Sequence, residues 1–156
     1  MRHGHALSAH EAGVPSDSER PLSPLGEKEA LETCLHLKTS GFVPDFIISS
    51  PFLRADRTAA IAAGVFPRAA RRTDPALSDG QLQDLLDLLA RLSPEESRVL
   101  LVGHQPLIGT IAGFLLGRDG FDLSPAGFVR LKPAKGPGSG ALVEFYTPPW
   151  PEEISR

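Results

Sequence analysis

Apolar residues along this chain fall into two kinds of pattern. Phe46-Ile47-Ile48 and Val99-Leu100-Leu101-Val102 are short continuous apolar runs, the pattern of strands buried on both faces of a parallel sheet. Between and around them the apolar positions are spaced as in helices. Ser23-Pro24 reads as an N-cap and a proline at the first helical position, and Gly41 closes the helix that follows. Leu31 and Leu35 share one face of that helix, with Glu and Lys around the rest. Ser50-Pro51 opens a second helix reaching about Ala63. Leu82, Leu85, Leu86 and Leu89 put a core-facing helix over 81–92, and a further helix runs from about Pro106 to Leu116. A short extended piece fits around Arg71–Thr73, and Phe128–Leu131 and Leu142–Tyr146 read as two further strands. Residues 5–22 read as a loop, 133–140 as a Gly/Pro/Ser-rich connector and 148–156 as a loose tail. This alternation predicts an α/β fold: a three-layer α/β/α sandwich on a mostly parallel sheet, one domain over 1–147.

Bulk properties narrow the classes of function. A chain of 156 residues, 41% hydrophobic and 22% charged, suits one globular domain with a real core. A net charge of -3 argues against general nucleic-acid binding. The single Cys34 reads as a buried helical residue and points to a reducing compartment. Neither a membrane span nor a signal-peptide pattern is evident, so a cytoplasmic protein that binds no membrane is expected.

The chemistry-bearing residues cluster in three places. Arg2-His3-Gly4 stands at the chain start. Arg54 lies just past the Phe46–Ile48 strand, and His104 immediately follows the Val99–Val102 strand and Gly103. In an open parallel sheet, ligands bind at the carboxyl ends of the strands. If these strands are neighbours, two arginines and two histidines meet at one sheet edge and form a pocket for a phosphate dianion. No metal-ligand set accompanies them, because His3 and His5 lack a supporting carboxylate cluster.

With these residues in place, the chain resembles the histidine phosphatase (phosphoglycerate mutase-like) superfamily, and within it the small phosphohistidine phosphatases of the SixA type. Arg2-His3-Gly4 is similar to the family signature, and Arg20-Pro21-Leu22-Ser23 with Gly26 is similar to a subgroup element. Ser49-Ser50-Pro51-Phe52-Leu53-Arg54-Ala55 with Thr58 resembles the second arginine motif, and Val102-Gly103-His104-Gln105-Pro106-Leu107 the second histidine motif. The resemblance implies that His3 is the nucleophile, forming a phosphohistidine intermediate, and that Arg2, Arg54 and His104 bind the phosphoryl oxygens. Arg20, His5 and Gln105 would contribute to substrate binding. No metal or organic cofactor is implied. The substrate would be a phosphohistidine-bearing protein, such as a histidine phosphotransfer domain, or a small phosphoester.

Two expectations are less comfortable. Larger relatives use a carboxyl group to protonate the leaving oxygen, and here Asp74 and Asp79 are the nearest candidates, neither in a clear motif. A phosphohistidine substrate would need no strong acid, since its leaving group departs as neutral imidazole once the other ring nitrogen is protonated. The resemblance also implies an apolar strand before Arg2, where this chain has Met1 alone. The first strand is therefore expected to be missing or truncated and His3 to be poorly anchored, which leaves a non-catalytic phosphate-binding module as an alternative. His10 and His36 read as solvent-facing, and Arg68, Arg71 and Arg72 as solvated surface or a patch that steers an acidic partner.

Overall fold

The computed structural model describes residues 1–92, 97–132 and 138–149. The 133–140 connector and the 148–156 tail thus fall mostly outside the described residues. Chain order is α1 (Ala9–Ala12), α2 (Pro24–Thr39), β1 (Phe46–Ser49), α3 (Leu53–Val65), β2 (Ala70–Thr73), α4 (Leu82–Leu92), β3 (Val99–Val102), α5 (Leu107–Leu116), β4 (Phe128–Lys132) and β5 (Ala141–Tyr146). Short 3-10 turns occupy Asp17–Glu19 and Pro75–Leu77.

Three parallel strands lie in the order β2-β1-β3, and β4 and β5 form an antiparallel pair. Alternation along the strands separates two cores. Ile47, Leu100 and Val102 pack with Cys34 and Leu37 of α2 and Ala55, Ala59 and Ala62 of α3. Ile48 faces the other way, onto Leu85 and Leu88 of α4 and Ile108 and Ile111 of α5. Helices therefore cover both faces, as the continuous apolar runs predict. Cys34 is fully buried, and burial pushes its thiol up to about 12, so it packs as a small apolar group.

Three local expectations change. Leu31 and Leu35 do not face the core; they are 45% and 48% exposed. The buried stripe of α2 is Ala30, Thr33, Cys34 and Leu37, at helical spacing. Small side chains at Ala30, Thr33 and Cys34 face the alanines of α3, so the two helices approach closely there. His36 is not solvent-facing: its ring stacks on Tyr146 at 4.2 Å and its Nε2 lies 2.7 Å from Glu144 Oε2, tying α2 to β5. The 5–22 segment contains α1, opened by a capping box in which Ser8 Oγ accepts from Glu11 N and Glu11 Oε1 accepts from Ser8 N.

The start of the chain is better held than expected. Residues 1–3 form a parallel bridge, Arg2 to Gly103, beyond the end of β3. Met1 N donates to Leu101 O (2.9 Å), Gly103 N to Met1 O (3.1 Å) and His3 N to Gly103 O (3.1 Å). On the opposite side, Arg2 N donates to Gly127 O and Ala126 N to His3 O, each at 2.9 Å. Arg2 makes a single bridge, and backbone hydrogen bonds grip His3 from both flanks.

Candidate active site

Parallel register sets the site. Ser49 pairs with Thr73 of β2 and Val102 of β3, so β1, β2 and β3 end together. The Arg2 to Gly103 bridge extends this edge by one more segment. Four chain segments therefore turn away from the sheet side by side: Arg2-His3, Ser50 to Arg54, Asp74 to Gly80, and Gly103-His104.

His3 is buried, with 8% of its surface exposed. Its Nδ1 lies 2.7 Å from Gly4 O, and a carbonyl only accepts, so Nδ1 carries the proton. That leaves a lone pair on Nε2, toward which Arg54 Nε donates at 3.3 Å. Burial is the main cause that holds the His3 pKa down at about 3; the nearby His104, Arg54 and Arg2 push the same way against the Gly4 hydrogen bond. The His104 ring centroid is 5.1 Å from that of His3. Burial, then Arg54, lowers the His104 pKa to about 4, with Asp17 and Asp79 opposing. Both imidazoles are thus neutral near pH 7, and His3 presents an unprotonated nitrogen beside a guanidinium.

Glycine makes this arrangement possible. A Cβ on Gly4 would lie 2.6 Å from Gly26 O, and one on Gly26 would lie 2.0 Å from His5 O. The His3 loop and the first turn of α2 therefore cross backbone to backbone. Ser23 fixes the crossing: its Oγ caps Gly26 N at 3.0 Å while its N donates to His5 O at 2.9 Å. Thr58 joins the loop to α3, accepting from Gly4 N (3.2 Å) and donating to Arg54 O (2.8 Å).

The structure brings Arg2, His3, Arg54 and His104 together. Arg2 Nη1 donates to Leu123 O at 2.9 Å, while its Nε is buried and makes no hydrogen bond within the described residues. Burial lowers its pKa, Asp122 opposes this and the charge of Arg54 adds to it. Among the described residues, this pairing of cations beside a neutral imidazole suits a dianion.

The other expected site residues divide. Gln105 does not face the site: its Nε2 donates to Phe121 O (2.9 Å) and its Oε1 accepts from Gly109 N (3.0 Å), so its amide fixes the start of α5. Asp74 is a cap, with Oδ1 accepting from Ala76 N at 2.9 Å. Asp79 lies close enough to act electrostatically on His104. His5 Nδ1 is 2.7 Å from Ser23 Oγ, which places the ring at the α2 crossing. Arg20 donates from Nε to Leu7 O (2.8 Å) and from Nη1 to Asp17 Oδ1 (3.0 Å).

The sequence reading assigned no site role to Asp17, and it had Ser50 only as a helix start and a motif member. Ser50 Oγ lies 2.8 Å from His104 Nε2 and accepts from Phe52 N at 3.1 Å. Asp17 holds Arg54: its carbonyl accepts from Nη1 at 2.7 Å and its Oδ2 from Nη2 at 3.0 Å. A carboxylate three residues before Arg20 was the available signal, since the two residues pair at i,i+3. Hydrogen bonds from Arg20 first, and then Arg54, hold the Asp17 carboxyl below its usual range.

Comparison with known proteins agrees with this geometry. The sequence profile of the histidine phosphatase superfamily (branch 1) matches residues 1–86. An uncharacterised protein of Picosynechococcus is 32% identical over 136 residues, covering 82% of this chain and 81% of its own length. One of Mycobacterium tuberculosis is 29% identical over 160 residues, with 92% and 98% covered. Among solved structures, the protein histidine phosphatase SixA complexed with tungstate superposes with a TM-score of 0.84 at 26% identity, covering 95% of this chain and 94% of that one. The phosphoserine phosphatase of Entamoeba histolytica in complex with 3-phosphoglyceric acid shares the fold, with a TM-score of 0.67 at 20% identity over 94% of each chain.

Proposed function

This chain belongs to the histidine phosphatase superfamily, branch 1, and is a phosphatase of that superfamily; from that premise we propose that it removes the phosphoryl group from a phosphohistidine carried on a protein. The observation that carries the reading is the state of His3: buried, Nδ1–H locked on Gly4 O, and Nε2 unprotonated, accepting from Arg54 Nε at 3.3 Å.

In the first step the Nε2 lone pair of His3 attacks phosphorus. A new N–P bond forms as the substrate's own N–P bond breaks. The departing imidazole is neutral when its other nitrogen is already protonated. Arg2 and Arg54 offset the charge that builds on the phosphoryl oxygens, and the neutral His104 ring contributes a hydrogen bond to them. In the second step water attacks the phosphorylated His3, which yields inorganic phosphate and restores the neutral ring. Neutral imidazoles suit this sequence, since a protonated His3 has no lone pair to offer.

One further feature supports a phosphohistidine substrate. Asp17 is held ionised by Arg20 and Arg54 and so does not serve as a proton donor near pH 7. An imidazole leaving group needs no such donor, whereas an alkoxide does. A second reading, a small phosphomonoester substrate, is favoured by the place of Asp79: the 74–80 segment carries this carboxyl group to the same edge, near enough to His104 to act on it electrostatically.

The test is to mix the protein with a phosphorylated donor and look for acid-labile phosphate on His3. Trapped label, together with faster turnover on a phosphohistidine protein than on sugar phosphates or nucleotides, is expected. Folded protein that takes no label from several donors overturns the covalent mechanism; label with preference for small esters moves the assignment to the second reading.

A further inference from the structure

Arg54 offers five N–H groups in a rigid plane, and the usefulness of that plane depends on which edge faces the reacting phosphorus. One edge, carrying Nε, points toward His3 Nε2 at 3.3 Å. The far end of the fork is already occupied: Nη1 donates to Asp17 O and Nη2 to Asp17 Oδ2, at 2.7 and 3.0 Å. Asp17 in turn is held by Arg20, whose Nη1 reaches Oδ1 at 3.0 Å and whose Nε is anchored on Leu7 O at 2.8 Å. Leu7 N donates to Pro21 O, which closes the loop on itself. The Arg54 side chain is 8% exposed, while that of Asp17 is 60% exposed. The buried partner is thus the one being held, and the rim residue is the holder.

We propose that Asp17 is a positioning residue for Arg54: with Arg20 behind it, it fixes the guanidinium so that the Nε edge meets the phosphoryl group transferred to His3. This rests on the reading of His3 as nucleophile. It also reassigns Arg20, which acts through Asp17. A guanidinium fixed before substrate arrives does not have to be ordered during the reaction, and such ordering is a large part of what an active site supplies.

The negative charge of Asp17 complicates a simple deletion, because removing it also relieves repulsion of an incoming dianion. Asp17→Asn and Asp17→Ala remove that charge equally, but only Asp17→Asn keeps an oxygen acceptor for Nη2. The comparison between these two variants isolates positioning. Two measurements on each folded variant decide it: single-turnover labelling of His3, and tungstate affinity by calorimetry, which requires no turnover.

Asp17→Ala is expected to label His3 about tenfold more slowly than Asp17→Asn and to bind tungstate several-fold more weakly, in line with the loss of one hydrogen bond to a charged group. In an Arg54→Ala background the two Asp17 variants should coincide. Equal behaviour of Asp17→Ala and Asp17→Asn with Arg54 present overturns the proposal, as does tighter tungstate binding by Asp17→Ala than by Asp17→Asn. A persistent difference between them when Arg54 is absent also overturns it. If the wild-type protein takes no label, the nucleophile assignment falls, and the tungstate series still decides whether Asp17 positions Arg54.

Discussion

Replacing Gly26 by alanine should damage catalysis from a residue that touches no substrate. The new Cβ would sit 2.0 Å from His5 O and 2.9 Å from His5 N and C. Carbon and oxygen settle near about 3.3 Å, so roughly 1.3 Å must be made up by backbone movement. Neither side yields easily. The first turn of α2 is capped by Ser23 Oγ on Gly26 N, and the same serine's N holds His5 O. Displacement therefore passes to Gly4, which carries two links of the site: its N donates to Thr58 and its O accepts from His3 Nδ1. A shift of about 1 Å at His3 would slow phosphoryl transfer by about 100-fold. Overpacking of this kind costs about 1–3 kcal/mol, which lowers the Tm by roughly 3–10 °C for a domain of this size. The assay is rapid-quench labelling of His3 beside a thermal melt. Gly64→Ala is the control, because a Cβ there meets nothing within 4 Å. It should leave labelling intact and raise stability slightly. A Gly26→Ala protein with wild-type labelling and melting would refute the claim that the crossing positions His3.

Three further outcomes follow from the same geometry. His3 has a folded pKa of about 3 against an ordinary 6.5, so the stability gained from keeping it neutral is present above pH 6.5 and is lost as pH falls toward 3. Its contribution to the slope is at most about 1.4 kcal/mol per pH unit in that window, and His3→Asn should flatten a urea-unfolding series over pH 4–6. Asp79→Ala should leave phosphohistidine hydrolysis within a few-fold and depress phosphomonoester turnover; loss of both activities in a folded variant contradicts the leaving-group argument. Ser50→Ala removes the partner of His104 Nε2 and should slow labelling of His3 by about tenfold with little change in KM, as steady-state kinetics will register.

The sequence was legible wherever a local rule decides the structure. Continuous apolar runs gave β1 and β3 because a strand covered on both faces has no reason to alternate. The Ser23-Pro24 start of α2 was equally readable, and Ser23 does cap Gly26. Cys34 was read as buried and is, but the Leu31 and Leu35 face was misread because hydrophobicity alone ranked leucine above Ala30 and Thr33. The partner of that face is a helix of small residues, and close approach, not side-chain size, selects what is buried there. His36 was misread for a similar reason: its partners Glu144 and Tyr146 are brought in by β5 from the far end of the chain.

The residues whose chemistry was read from the sequence and those whose holding roles were not differ in how they act. Arg2, His3, Arg54 and His104 carry charge or a nucleophilic nitrogen, so their chemistry is visible in their identity. Asp17, Ser50 and Thr58 work by holding those groups, and each does so through hydrogen bonds spanning 37, 54 and 54 residues of sequence. Such roles follow only once the fold has set the neighbours. His3 itself illustrates the same division. A reading based on sequence length before it suggested weak anchorage, because strand stability was equated with strand extent. The structure anchors it by pairing on two flanks and by a glycine crossing, so two backbone hydrogen bonds and one carbonyl fix both the position and the tautomer of the ring. On the proposed mechanism the reaction depends on that orientation of Nε2, and here a single bridge residue between two partners holds the backbone that sets it.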